Sequence, residues 1–150
     1  MLGSRYSGAP LPSKLGIGEA YAVCLLEAPE HFDHLLQPLP ARACLARDPE
    51  AGTYPMVLGF VKNRTHLEAV ITRAFALWNC ADPLWMAWPK QAGQLASDLD
   101  FSTIQAAMHP HGMVDVRACA LDMDWSALCF VSRRARRHPG VPVASSALGS

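Results

Sequence analysis

Lys90 is the residue in this sequence best placed for chemistry, because it follows Trp88 and Pro89 at the end of an apolar run. The rigid proline holds the lysine stem, so the ammonium can face nearby carboxylates. Such a lysine binds an anionic group or, when desolvated, acts as a base or nucleophile. A structural ion pair that closes the top of the sheet is the simpler interpretation, since ion-pair networks also gather charges.

Several other polar and aromatic residues lie where predicted strands end, and they complete a candidate crevice around Lys90. The predicted ligand-binding residues are Glu27, Trp88, Lys90, Asp98, Asp122, Asp124, Trp125 and Ser126, with Asp48 and Lys62 at neighbouring strand ends. Trp88 and Trp125 can line an apolar pocket for a flat ligand, whereas Trp78 and Trp85 are expected in the core. The sequence assigns no catalytic residue, because Ser126 lacks a nucleophile elbow.

Histidines and cysteines give no sign of a metal site. His31 and His34 are three residues apart on a predicted helix, but no third ligand follows them. His109 and His111 bracket a proline in a loop and also lack partners. The five cysteines are an odd number without two-residue spacing, so we expect free thiols, mostly buried, and no metal.

The elements that must position these residues alternate between strand and helix. Predicted strands cover residues 19–27, 42–46, 54–61, 83–88, 113–121 and 125–132. Predicted helices cover residues 29–37, residues from Asn63 or Thr65 to about Asn79, and residues from a Ser97 or Asp98 cap to Met108. This order predicts a three-layer αβα, Rossmann-like fold, with a mostly parallel sheet of about six strands that ends in an antiparallel hairpin. Ligands bind such sheets outside the carboxyl ends of the parallel strands.

Composition limits the classes of partner. Thirteen basic and thirteen acidic residues cancel, so we expect neither nucleic acid nor a membrane surface as a partner. No apolar run approaches the roughly 20 residues of a membrane span. Residues 1–12 lack an apolar core of signal-peptide length, so we expect a cytoplasmic protein. We expect an N-terminal arm at residues 1–18, a folded domain at 19–132, and a basic, flexible tail at 133–150.

Motifs along most of the chain resemble a known family. These are SGAPLPSKLGI at residues 7–17, EAPEHF at 27–32, WPK at 88–90, SDL at 97–99 and GMVDVRACALDMDWSALCFV at 112–131. They resemble the small bacterial proteins of domain-of-unknown-function family 3052, up to about Arg133. The strand order is also similar to a shortened version of the Rossmann fold of S-adenosylmethionine-dependent methyltransferases. The first resemblance implies a fold but no activity.

The first turn departs from the methyltransferase pattern. In that family a glycine-rich turn after the first strand lets the backbone approach the cofactor, whereas here the turn reads Leu26, Glu27, Ala28, Pro29, Glu30. Pro29 lacks an amide donor and the glutamates add negative charge, which does not suit a dinucleotide phosphate. We therefore expect no cofactor. S-adenosylmethionine is disfavoured but less firmly excluded, because Asp48 can hold ribose hydroxyls.

Two functions follow from these features. The first is a non-catalytic or regulatory module that binds a small anionic or aromatic ligand, or a protein, on a degenerate methyltransferase-like scaffold. The alternative is a small transferase that acts on an anionic or aromatic metabolite through the crevice at Lys90. Association with a second copy or another protein, through an edge strand or the arginine-rich tail, is a weaker possibility. Whether the chain is an enzyme stays open, with the balance against it.

Overall fold

The computed structural model of the chain describes residues 10–90 and 98–133. The six strands are β1 (Ala22–Leu26), β2 (Cys44–Arg47), β3 (Met56–Phe60), β4 (Leu84–Pro89), β5 (Met113–Ala120) and β6 (Trp125–Ser132). Within these residues the α-helices are α1 (Leu11–Leu15), α2 (Phe32–Leu35), α3 (Arg64–Leu77) and α4 (Phe101–Met108), and a 3₁₀ turn, His109–His111, follows α4. None of the helices in these ranges is long and apolar enough to cross a membrane.

One six-stranded sheet organises the molecule, in the order β2-β1-β3-β4-β6-β5. Strands β2, β1, β3 and β4 pair in parallel, because a crossover connects each of them to the next strand along the chain. Strand β6 is antiparallel to both β4 and β5, and a short turn at residues 121–124 joins the last two strands. The predicted fold class, a mostly parallel sheet with an antiparallel terminal hairpin, is confirmed.

Both faces of the sheet are covered, which explains why every residue of β3 and β4 is buried. On one face, α3 and α4 pack through residues such as Ile71 and Ile104 against Val57 of β3. On the other face, Leu15 of α1 and Phe32 of α2 pack with Trp85 and its neighbours. Strands covered on both faces are expected to be continuously apolar rather than alternating. The strand ends are therefore where polar groups can gather.

Two predicted helices differ from those observed. The segment 29–37 forms only the four-residue helix α2, and no side chain caps its start. The guanidinium of Arg47 binds the carbonyl oxygens of Ala28, Pro29 and Glu30, which a longer helix would use as acceptors. Helix α4 begins after Asp100, whose carboxylate accepts from the Thr103 amide at 2.8 Å, and not after Asp98. The other predicted cap, Ser97, lies outside the described residues.

Helix α3 is close to its prediction because its local signals agree. The Asn63 side chain caps the helix by accepting from the His66 amide at 3.1 Å. Leu67, Val70, Ile71, Ala74 and Leu77 form its buried stripe. The helix ends at Leu77 rather than Asn79, because Trp78 is already extended and Tyr54 binds the Leu77 carbonyl. This helix presents its first turns to the carboxyl ends of β1 and β3.

Candidate functional site

The carboxyl ends of β1 and β2 are joined by a network of three charged residues. The amide of Glu27 donates to Asp48 Oδ1 at 2.9 Å. Arg73 of α3 reaches both acids, with its Nη1 3.3 Å from Glu27 Oε2 and 3.4 Å from Asp48 Oδ1. Glu27 and Asp48 both adopt left-handed backbone conformations, at φ of 58° and 45°. The network therefore occupies the edge of the sheet where a ligand of β1 and β2 would lie.

Arg47, the last residue of β2, binds the turn that follows β1. Its Nη2 lies 2.7 Å from the Pro29 carbonyl oxygen and 2.6 Å from Asp33 Oδ1. Its Nη1 donates to the Ala28 carbonyl at 3.1 Å, and its Nε donates to Asp33 at 3.0 Å. A planar guanidinium can satisfy several acceptors at once in a fixed fork. This Arg47 clamp ties the polar backbone of the first turn to the protein itself.

A small cavity lies beside the network, between α3 and the ends of β1 and β3. Its volume is about 180 Å³, and it is lined by Glu27, Phe60, Lys62, His66, Ala69, Val70 and Arg73. His66, Ala69, Val70 and Arg73 recur at helical spacing, so one side of α3 forms a wall. Phe60 and Val70 make the inner surface apolar, and Ala69 adds an apolar side chain at the exposed outer wall. We call this space the α3 pocket.

A wider and more open crevice of about 550 Å³ lies at the other end of the sheet edge, beside the terminal hairpin. It is lined by Trp88, Lys90, Asp100, Phe101, Ala118, Cys119, Ala120, Ser126 and Ala127. Three predicted site residues, Trp88, Lys90 and Ser126, thus come together here. Two more, Glu27 and Lys62, lie in the α3 pocket instead.

The three predicted aspartates have structural contacts in this structure. Asp98 Oδ1 accepts from the Arg64 amide at 3.0 Å, at the start of α3. Asp122 Oδ1 accepts from the amides of Asp124 and Trp125, each at 2.8 Å, and so forms the hairpin turn. The Asp124 carbonyl accepts from the Lys90 amide at 2.7 Å. The lysine is therefore tied to this turn through its backbone, by a contact that the sequence did not predict.

Asp122 makes a second contact that connects the hairpin turn to the first turn. Its Oδ2 lies 3.3 Å from His31 Nε2, and the imidazole is more than half exposed. An exposed pair of this kind adds little stability. It nevertheless places the segment after β1 and the hairpin turn side by side at the edge of the sheet.

The tryptophans serve mainly as core residues. Trp85 is fully buried and its indole N–H donates to the Leu15 carbonyl at 3.1 Å. Trp125 is only 2% exposed and meets Phe60 edge-on, with ring centroids 5.0 Å apart. In the described part of the chain, the indole N–H of Trp125 has no hydrogen-bond partner. Trp88 is 6% exposed and lines the wider crevice with its accessible part.

Burial changes the acidity of three cysteine thiols in the described residues. Burial raises the pKa of the Cys24 thiol to about 11, against the lowering influence of Arg73. Burial also raises the pKa of Cys119 and Cys129, so these thiols stay protonated near neutral pH and are poor nucleophiles. Within residues 10–90 and 98–133, no three His, Cys, Asp or Glu side chains are grouped to hold a metal ion.

Arg47, Arg73 and His66 are the functional-site residues that the sequence did not indicate. Arg73 lies on α3 seven residues after His66, and that helical spacing was a usable signal for a shared face. The contacts of Arg47 span 14 to 19 residues along the chain. No spacing rule links residues that far apart, so only the folded structure could indicate this clamp.

No protein-family model matches the sequence, and no curated protein matches it either. Membership in family 3052 therefore stays a prediction.

Solved structures share the fold. A methyltransferase dependent on S-adenosylmethionine, from Aquifex aeolicus, superposes with a TM-score of 0.54 and 8% identity, over 80% of this chain and 86% of that one. The fibrillarin pre-rRNA processing protein of Methanococcus jannaschii superposes with a TM-score of 0.51 and 11% identity, over 78% of this chain and 68% of that one. The structure of a DhpI complex with SAH superposes with a TM-score of 0.51 and 10% identity, over 87% of this chain and 86% of that one. At sequence identities this low, structural similarity establishes the fold alone. The chain has the Rossmann-like fold of S-adenosylmethionine-dependent methyltransferases, built on a six-stranded mixed sheet.

Proposed function

We propose that the protein is a non-catalytic module that binds a small ligand on a methyltransferase-type scaffold and has lost the cofactor turn of that scaffold. The observation that carries the proposal is the state of the turn after β1, whose polar groups are bound by the protein's own side chains. A cofactor at this position would need the groups that Arg47, Asp48 and Arg73 already engage.

Three features of the turn support this proposal. The amide of Glu27, the first one after β1, already donates to Asp48. Pro29 supplies no amide, and the carbonyls of Ala28 and Pro29 accept from the Arg47 clamp. Asp48, which the sequence suggested as a partner for ribose hydroxyls, already accepts at Oδ1 from the Glu27 amide and pairs there with Arg73. A ligand that entered here would have to break several hydrogen bonds before making its own.

The α3 pocket offers a place for a ligand beside this network, with Glu27 and Arg73 in its wall. It lies at the carboxyl ends of the parallel strands, where open α/β sheets bind their ligands. Its lining combines apolar side chains with a few charged groups, as in most sites for small molecules. Fold likeness alone does not assign a reaction, because one fold carries many functions.

A titration with S-adenosylmethionine and S-adenosylhomocysteine tests the proposal. A cofactor present at 100 times its Kd would stabilise the fold by about 2.7 kcal/mol, or roughly 5 to 10 °C for a chain of this length. We expect no shift of the thermal midpoint at millimolar ligand. A shift of several degrees that is lost in Asp48→Asn would overturn the proposal.

The crevice beside Lys90 favours a second candidate, a small transferase that acts on an anionic or aromatic metabolite. Its volume of about 550 Å³ is within the usual range for ligand sites, and Trp88 and Lys90 both line it. A cofactor-induced shift that persists in Asp48→Asn but is lost in Lys90→Ala would support this candidate. A bacterial, cytoplasmic setting and association with another protein stay predictions in either case.

A further inference from the structure

We propose that the α3 pocket binds a small monocarboxylate whose apolar body is about the size of a benzene ring. This inference rests on the proposed function, because it names the class of ligand for the module. The size argument comes from the cavity, which measures about 180 Å³. A cavity of about 150 Å³ in another protein is large enough for benzene, so the α3 pocket has room for one ring.

The inner part of the pocket selects an apolar body. Phe60 and Val70 form it, at 1% and 4% exposure, and Ala69 forms the outer wall on α3. None of these side chains offers a hydrogen bond, so a polar ligand would lose its hydration without replacement. A phenyl or cyclohexyl ring contacts such a surface without that loss.

The mouth of the pocket selects a negative charge. Lys62 and His66 line it, and neither side chain has a hydrogen bond or ion pair within residues 10–90 and 98–133. Arg73 is different, because Glu27 and Asp48 already share its guanidinium. Lys62 is therefore the cation available to a ligand, with the His66 ring as a second donor.

The charge balance favours a monoanion over a dianion. Lys62 and Arg73 contribute two positive charges, while Glu27 and Asp48 contribute two negative charges, so the formal sum is zero with His66 neutral. A carboxylate at Lys62 gains one close, charge-assisted contact. The second negative charge of a phosphate monoester would gain no further cation and would lie near Glu27.

The experiment titrates the ¹⁵N-labelled full chain with benzoate and follows amide shifts by NMR. We expect shifts at residues 60–73 that saturate at millimolar benzoate. Loss of one charge-assisted hydrogen bond corresponds to an increase of about tenfold in Kd. Lys62→Gln should therefore raise the Kd for benzoate by that factor. Benzamide, which has the same shape without the charge, should bind the unaltered protein about tenfold more weakly than benzoate.

Two further variants control the experiment. Arg64→Gln removes a charge from the exposed start of the same helix, outside the pocket lining, and should change the Kd less than about twofold. Ala69→Phe fills the pocket from an exposed helix position and should abolish binding while the fold, checked by the remaining amide signals, is retained.

Several results would overturn the inference. One is the absence of amide shifts at the pocket residues at about 20 mM benzoate. Another is an equal increase in the Kd for benzoate in Lys62→Gln and Arg64→Gln. The third is tighter binding of phenylphosphonate than of benzoate. A silent benzoate titration together with a silent cofactor titration rejects this ligand class and leaves the proposed function standing. Binding of S-adenosylmethionine rejects the proposed function itself.

Discussion

Replacing Arg47 by glutamine removes the clamp on the first turn and tests whether that turn is held as we describe. The guanidinium makes four contacts of 3.1 Å or less, two with Asp33 and one each with the carbonyls of Ala28 and Pro29. Glutamine is shorter, has no charge and carries only two donor hydrogens, so it cannot span these acceptors. The turn and the start of α2 should loosen as a result.

The size of the effect is limited by solvent exposure. The Arg47 and Asp33 side chains are 33% and 45% exposed, so water replaces part of what the guanidinium provides. At about 0.5 kcal/mol for each of the four contacts, the lower end for hydrogen bonds, the loss is about 2 kcal/mol. For a chain of this length that corresponds to a midpoint lower by roughly 4 to 8 °C. Arg47→Lys should recover less than half, since a point charge does not reproduce the planar fork.

Urea denaturation measures the free energy of unfolding, and amide exchange at Phe32 and His34 locates the change, because both amides bond within the clamped segment. Arg42→Gln is the matched control: Arg42 is 75% exposed, and its one ion pair, to Glu19, is 3.8 Å long. That variant should differ from the parent by less than about 0.5 kcal/mol. An equally small effect of Arg47→Gln, with unchanged exchange in α2, would refute the idea that the turn is held by the clamp.

Two further predictions concern the core beneath the α3 pocket. A Cβ at Gly59 would lie 3.0 Å from Val70 Cγ1 and 3.3 Å from Met86 Sδ. Gly59→Ala should therefore destabilise the protein by about 1 to 3 kcal/mol in urea unfolding. The same substitution in a Val70→Ala protein should cost much less, because the contact with Val70 is removed. An equal loss in both backgrounds would contradict this contact. Because burial raises the Cys24 pKa from 9.0 to about 11, the unfolded thiol ionises first, so its contribution to stability is complete below pH 9 and is lost between pH 9 and 11. Between pH 9 and 11 the free energy of unfolding should fall less steeply with pH in Cys24→Ala than in the parent. Parallel curves for the two proteins would count against the raised pKa of Cys24.

Most of the sheet could be predicted from the sequence because its signals are local. The strand predicted at residues 125–132 coincides with β6, Trp125–Ser132, since the turn before it contains two aspartates and the run itself is apolar. The start of α3 at Asn63 was predictable for the same reason. Helix α2 was overestimated, since only Phe32–Leu35 is helical. Local propensity also does not record the contacts that Arg47 of β2 makes with the carbonyls before this helix.

The candidate site was predictable only in part, because spacing shows which strand ends meet but not how charges pair. Lys90, Trp88 and Ser126 do line one crevice. Asp98 was one of three aspartates, with Asp122 and Asp124, that the sequence offered as partners of Lys90, and in the structure its carboxylate oxygen accepts from the Arg64 amide at the start of α3. An aspartate near a helix start has two uses, as a cap or as a partner of a lysine. Only the three-dimensional structure distinguishes them.

The conformation of Glu27 connects the fold to the proposed loss of the cofactor turn. Its φ of 58° is one that glycine adopts readily, and a non-glycine residue is less stable there by about 1 to 2 kcal/mol. The turn therefore keeps the backbone shape that suits a glycine, although a glutamate occupies the position. The hydrogen bond from its amide to Asp48 and the ion pair of its side chain with Arg73 offset that strain. Both contacts use groups that would face a ligand at the ends of β1 and β2. Under the proposed function, a ligand leaves these contacts in place and enters the α3 pocket, whose wall includes Glu27 and Arg73.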